Sequence, residues 1–305
     1  MPQTYTVEKD FHNFRFDKWF KLNVMDLPQS LLEKIIRLNK IKINKKKIKS
    51  SYRLQFGDSV AIYNISKFKI INKSKKIKYK PSKKETDIYN EYILENNENF
   101  VVINKPQGIA VQSGTKSFRN IIDILKDTEY FKDKKPYIVH RIDKETSGIL
   151  IVAKTREYAQ LFTSLFRIRK IHKTYIAITY GKVTTKKKIL EDNLIYFEKN
   201  KKITQKAISH LKVIKSAEDF SYVELNPITG RKHQLRIQMK NIGNPIVGDI
   251  KYFLNRNDFK KSKKIKSLML HAYKIKFMIN NIQYNFKAKY PADFESFLKS
   301  KFKSY

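Results

Sequence analysis

Residues 140–148, His-Arg-Ile-Asp-Lys-Glu-Thr-Ser-Gly, stand between Tyr137-Ile-Val139 and Ile149-Leu-Ile-Val-Ala153. Short apolar runs rich in β-branched residues read as strands, so two strands hold out one polar loop. The loop places Asp143 two residues from Arg141, and a short connection on rigid strands is a good mount for reactive groups. An exposed loop aspartate is more often a turn former or a cap. A second polar segment, 229–236, carries Arg236, whose guanidinium could pair with Asp143 and hold it ionised, as a nucleophile or base requires. Spacing alone does not bring the two together.

The chain has 305 residues, enough for two domains with their own cores. Lys and Arg number 65 against 28 acids, a formal charge of +37, which attracts polyanions such as nucleic acid. A compositional preference for Lys, Ile and Asn also feeds this excess. Arginine is scarce beside lysine, so Arg141, Arg231 and Arg236 in the two most motif-like stretches suggest sites that need the guanidinium fork. The eight glycines all fall at turns or motifs, where positive φ or close approach is expected. Absence of cysteine excludes disulfides, thiolate catalysis and Cys-type zinc sites. With no apolar leader and no long apolar window, the expectation is a soluble, cytoplasmic protein without membrane attachment.

In chain order, the first unit spans 12–65. Arg15–Leu22 and Leu27–Arg37 read as helices, the second opened by a Ser30/Glu33 capping box, and 41–43 and 52–62 read as strands. Lys34, Arg37, Lys45, Lys46 and Lys47 gather at the second helix and the turn after it. Residues 66–86, charged and without glycine, read as a basic linker. The larger unit, 87–305, offers a strand 99–105, a helix 118–125, and a helix 155–167 with Thr155 as N-cap. It continues with a strand 173–180, a strand pair 207–215 and 220–225, and a helix 232–242 with Arg231 in its first turn. A hairpin around Asn280-Asn281 and a helix after Pro291 complete it.

The first unit resembles the αL RNA-binding domain along Arg15-Phe-Asp-Lys-Trp-Phe20, Pro28-Gln-Ser30, Asn44-Lys-Lys46 and Gly57-Asp58. The resemblance implies that structured RNA binds the basic helix and turn. The larger unit is similar to the RluA family of RNA pseudouridine synthases. Six segments in the family's order carry this likeness: 104–108 (NKPQG), 140–154 (HRIDKETSGILIVAK), 173–178 (KTYIAI), 227–236 (PITGRKHQLR), 243–249 (GNPIVGD) and 270–272 (LHA). With the basic unit in front, the architecture resembles the family's large-subunit ribosomal RNA enzymes.

The resemblance implies an α+β fold, a small αL domain followed by a catalytic domain with a mixed, largely antiparallel sheet flanked by helices. It implies an isomerase converting uridine to pseudouridine in large-subunit ribosomal RNA or its assembly precursor. Asp143 falls on the catalytic aspartate, Tyr175 on the active-site tyrosine and Arg236 on the carboxylate-pairing arginine. Arg141 would fill the space left by a flipped base, and Arg231 would join Lys34, Arg37, Lys45, Lys46 and Lys47 in binding RNA. The family's Leu before the aspartate is Ile142 here, and its following acid is Glu145. An isomerisation needs no metal or cofactor, and a monomer suffices. Of the six histidines, His140, His233 and His271 read as hydrogen-bonders that fix loops. The competing readings are a non-catalytic RNA-binding or ribosome-assembly factor and an aspartate-based hydrolase.

Overall fold

The computed structural model describes residues 2–63, 79–114, 118–132, 134–198, 201–255, 260, 265 and 267–302. The chain divides into two compact units, Met1–Lys76 and Ile77–Tyr305. Residues 66–78 of the expected linker, and 64–65 before it, lie outside the described residues.

In the first unit β1 (Gln3–Thr6), α1 (Phe16–Asn23), α2 (Gln29–Arg37), β2 (Ile41–Ile43) and β3 (Ser59–Ile62) form two helices on a three-stranded sheet of order β1-β3-β2. Because β1 pairs with β3, this sheet begins nine residues ahead of the expected start at residue 12. Phe16, Trp19 and Phe20 of α1 and Leu32 and Ile35 of α2 fill the core at helical spacing. The capping box is not made. Pro28 holds the N-cap position of α2 without a side-chain cap, and Glu33 instead accepts from Gln29 Nε2 (3.3 Å) and Ser50 Oγ (3.4 Å). Proline's fixed φ starts the helix two residues earlier than the serine would. The turn after β2 puts Asn44 and Lys45 at φ 48° and 66°, and Asn44 Nδ2 donates to the buried Asp58 carboxylate at 2.7 Å.

The second unit is built on a ten-stranded sheet. Its strands are β4 (Ile93–Asn96), β5 (Phe100–Lys105), β6 (Tyr137–Ile138), β7 (Ser147–Ala153), β8 (His172–Tyr180), β9 (Ile189–Glu198), β10 (Lys201–Ser216), β11 (Phe220–Pro227), β12 (Leu270–Ile279) and β13 (Ile282–Lys287). The path is β4-β5-β7-β12-β8-β11-β10-β9, with β6 on β7 and β13 on β12. Only β7 and β12 run parallel among the described pairs, through His271 opposite Ser147 and Ala272 opposite Gly148. The helices are α3 (Lys83–Asn90), α4 (Ile121–Lys126), α5 (Arg156–Arg167), α6 (Gln234–Asn241) and α7 (Ala292–Lys301).

β5 and β7 are buried on both faces, which is why Ile149–Ala153 reads as an unbroken apolar run. Val101, Ile103, Leu150 and Val152 pack towards α4, while Phe100, Val102, Ile149 and Ile151 pack towards Phe162 of α5. α5 starts where its cap dictates, with Thr155 Oγ1 accepting from the Tyr158 amide.

Several expectations are corrected. α3 spans part of the expected linker and crosses the expected boundary at 87, capped by Ser82. α4 starts three residues late, because Asn120 caps it and Phe118 stays exposed. β9 had no recognisable signal, since an edge strand bearing Glu191, Asp192 and Asn193 lacks apolar alternation. α6 begins at Gln234, with His233 at φ 53° before it, so Arg231 lies in the preceding turn. Of the glycines, Gly114 has neither positive φ nor a neighbour within 4 Å.

Candidate active site

The loop 139–146 joins β6 to β7, whose antiparallel register sets Tyr137 opposite Ala153 and Ile138 opposite Val152. Ile142 is buried in the core between the exposed Arg141 and the partly exposed Asp143, so the loop is anchored at its centre. At its end Gly148 has φ +108°, and a Cβ there would stand 2.3 Å from the Ala272 carbonyl oxygen. Only glycine lets β7 approach β12 this closely.

Three side chains hold the loop from beneath. The fully buried Lys105 donates to the carbonyls of Pro106 (2.7 Å), Ile109 (3.0 Å) and Lys144 (3.2 Å), and burial lowers its pKa to about 7. His140 Nε2 accepts the Ile151 amide at 2.8 Å, its ring stacks on Phe166, and burial drives its pKa down to about 3. His271 shares a 2.9 Å hydrogen bond with Ser147 Oγ across the parallel pair. Neutral histidines acting as fixed acceptors or donors suit an interior position better than charged ones.

The loop lines a cavity of about 570 Å³. Asp143, Arg141, Tyr175, Arg231 and Arg236 all border it, so five side chains singled out from sequence meet at one place. Lys34, Arg37, Lys45, Lys46 and Lys47 belong to the other unit, where all five are exposed. Asp143, a quarter exposed, faces two cationic or potentially cationic groups. Its Oδ2 lies 3.9 Å from Arg236 Nη1 and its Oδ1 lies 3.8 Å from His233 Nε2. Both are long ion-pair contacts, beyond hydrogen-bond distance, so the carboxylate stands beside charge without a direct hydrogen bond to it.

Arg236 is firmly held elsewhere. Its Nε and Nη2 donate to the two oxygens of the buried Asp249 at 2.7 Å each, and its guanidinium lies 5.1 Å from the Tyr252 ring centroid. Burial opposes the Arg236 charge, but the Asp249 hydrogen bonds and charge outweigh it and raise its pKa. Asp249 Oδ1 also accepts the amides of Lys251 (2.9 Å) and Tyr252 (3.0 Å), and Tyr252 OH meets His233 Nδ1 at 2.7 Å. The expected pairing of Arg236 with Asp143 is therefore its secondary contact. Its primary partner, thirteen residues on, was not identified, although it ends the motif 243–249. A tight turn makes the meeting possible: Gly248 has φ +78° and a Cβ there would fall 2.0 Å from the Ser267 carbonyl oxygen.

Tyr175 and Lys173, two apart on β8, share the face that lines the cavity, whereas Thr174 points away to Asn226 (2.8 Å). Burial, then the Asp143 charge, push the Tyr175 phenol well above its usual range, so it stays protonated. Sequence reasoning missed Lys173, although strand alternation beside Tyr175 would have found it. No group of three or more metal-ligating side chains occurs among the described residues. Among them, too, no helix is long and apolar enough to cross a membrane.

A carboxylate, a protonated phenol and a fixed guanidinium thus border one cavity. A family profile described as RNA pseudouridylate synthase matches residues 99–241. A ribosomal large subunit pseudouridine synthase C from Buchnera aphidicola subsp. Baizongia pistaciae is 33% identical over 293 residues, covering 92% of this chain and 90% of the relative. One of the same name from Rickettsia conorii is 35% identical over 253 residues, 78% of this chain and 82% of the relative. The solved structure of human RNA pseudouridylate synthase domain containing 4 superposes with TM-score 0.59 at 28% identity, covering 70% of this chain and 94% of that one.

Proposed function

The chain belongs to the RNA pseudouridylate synthase family, and from that premise we propose that it isomerises uridines of large-subunit ribosomal RNA with Asp143 as the reacting carboxylate. The substrate class follows the names of its relatives. The observation that carries the role of Asp143 is its carboxylate at the wall of the cavity, 3.8–3.9 Å from His233 and Arg236 and not hydrogen-bonded to either.

The reaction breaks the bond from uracil N1 to ribose C1′, turns the base while it is held, and joins C5 to C1′; the C5 proton is lost and N1 takes up a proton, so the product is an isomer of the substrate. Asp143 assists at the ribose, either by attacking C1′ or by taking a proton from C2′. Both routes need it ionised, and the fixed Arg236 guanidinium lies 3.9 Å away. Tyr175 stacks on the base. A uridine in a stem must leave the helix first, at a cost of a few kcal/mol. The exposed Arg141, two residues from Asp143, suits the vacated place because a flat guanidinium stacks between bases.

The N-terminal unit is, in the same reading, an αL RNA-binding domain. Its exposed Lys34 and Arg37 in the last turn of α2, and Lys45, Lys46 and Lys47 on the turn after β2, support this.

The test is Asp143→Asn in the full chain, with pseudouridine mapped chemically in ribosomal RNA of cells carrying either form. The variant is expected to fold and bind RNA and to form no pseudouridine. Modification persisting in the variant would remove Asp143 from the chemistry, and loss of the gene without loss of any large-subunit pseudouridine would remove the substrate.

A further inference from the structure

Besides Asp143, the cavity wall carries a group that the isomerisation leaves unused. Lys173 lines the cavity from β8, beside the neutral His140 and facing Gly230. A Cβ on Gly230 would stand 4.0 Å from Lys173 Nζ, at ordinary contact distance, so the two residues are neighbours across the cavity wall. Among the described residues, the ammonium makes no hydrogen bond within 3.5 Å and no ion pair within 4.0 Å. Burial alone lowers its pKa, to about 8, with no carboxylate contributing.

The ammonium is partly buried and partly desolvated, with no counter-charge from the described residues beside it. Three other basic groups of the cavity are engaged by the protein itself. Arg236 is held by Asp249, Arg231 Nε donates to the Lys206 carbonyl at 3.1 Å, and Arg167 Nη2 donates to Ser164 Oγ at 3.3 Å.

A second observation points the same way. Arg169 also lines the cavity and sits at φ 61°. It occupies the left-handed position after α5, where the Lys170 amide reaches back to the Leu165 carbonyl (2.9 Å) and the Arg169 amide to that of Phe166 (3.3 Å). Glycine is the favoured residue at this point of a helix terminus, and an arginine there is strained. The strained position places another cation at the cavity, and no hydrogen bond or ion pair engages its exposed guanidinium among the described residues.

We propose that Lys173, assisted by Arg169, is the seat of one backbone phosphodiester flanking the nucleotide whose base enters the cavity. The inference rests on the reading of the cavity as an RNA site. It adds that the wall formed by β8 and the end of α5 grips the sugar-phosphate chain while Asp143 and Tyr175 address the nucleoside. A phosphodiester fits because it restores the missing counter-charge and accepts from both side chains.

The experiment is a cycle on one RNA stem-loop whose uridine the wild-type protein converts. Conversion itself tests the family reaction, independently of Lys173. The two linkages flanking that uridine are replaced one at a time by neutral methylphosphonates, and kcat/KM is measured for wild type, Lys173→Met and Lys173→Arg. Loss of a charge-assisted hydrogen bond is expected to cost roughly tenfold or more, for Lys173→Met on natural RNA and for the wild type at one of the two linkages. At that linkage the losses do not multiply, and Lys173→Arg keeps most of the activity. Thermal unfolding of Lys173→Met is expected at or above the wild-type temperature, since a desolvated charge has been removed. Losses that multiply at both linkages, wild-type rates in Lys173→Met, or a fall in its unfolding temperature would overturn the proposal. The first outcome would move Lys173 to a different acceptor, such as a uracil carbonyl.

Discussion

Asp249→Asn removes one charge and almost no volume, and its consequences are set by the groups around it. Four donors converge on the two Asp249 oxygens: Arg236 Nε and Nη2 and the amides of Lys251 and Tyr252. Asparagine keeps one acceptor oxygen and turns an amide donor towards the remaining donors. Removing one partner of a buried ion pair costs roughly 3–5 kcal/mol, because the other charge is left uncompensated. For a domain of this size that is a fall of roughly 6–20 °C in the unfolding temperature. Arg236 then has one carboxylate within reach, that of Asp143, now 3.9 Å away and a quarter exposed. Closing that gap would engage the carboxylate proposed to react, and pseudouridine formation in a single turnover should slow by more than binding weakens. The assay is urea unfolding combined with single-turnover kinetics, run on Asp143→Asn, Asp249→Asn and the double variant. Asp143→Asn alone should change stability by under about 1 kcal/mol, as expected for a partly exposed contact at this range. In the Asp249→Asn background it should cost at least about 1 kcal/mol more, a coupling of the size seen for residues sharing a network. Additive stabilities, or Asp249→Asn with wild-type stability and rate, would refute the reasoning that Asp249 is what keeps Arg236 off Asp143.

Lys105 gives a pH prediction whose sign is set by burial. Its folded pKa, about 7, lies below the unfolded value near 10.5, so the unfolded chain binds the extra proton between them. Stability from this group therefore rises with pH across about 7 to 10, and below about 7 the penalty of the buried charge is present in full. Unfolding free energy measured across this window should rise less steeply in Lys105→Met, which also loses the bonds to Pro106, Ile109 and Lys144; an unchanged slope would place the Lys105 pKa outside the window. In the N-terminal unit, Lys45→Ala, Lys46→Ala and Lys47→Ala together should weaken binding to ribosomal RNA. The slope of log affinity against log salt should fall by about 0.7–0.9 for each phosphate no longer neutralised, and an unchanged slope would take the turn out of the RNA interface.

By itself the sequence determined what depends on neighbours along the chain. The polar loop between β6 and β7, the start of α5 at Thr155 and the hairpin at Asn280-Asn281 follow from alternation, capping and turn chemistry, all expressed within a few residues. The ordered motifs identified the family before any contact was known. Signals failed where a local rule competed with a stronger one, as at Ser30, where Pro28 opened the helix first, or where an edge strand such as β9 needed no apolar face. Tertiary structure alone decided the partners. It ran β7 parallel to β12 across Gly148, set the Lys105 ammonium beneath the loop, and gave Arg236 to Asp249 at 2.7 Å while leaving Asp143 at 3.9 Å. The reason is physical: periodicity records which face of an element is apolar. The energy of a charge depends on distance and desolvation, and both are fixed only when segments far apart in the chain close around the same cavity.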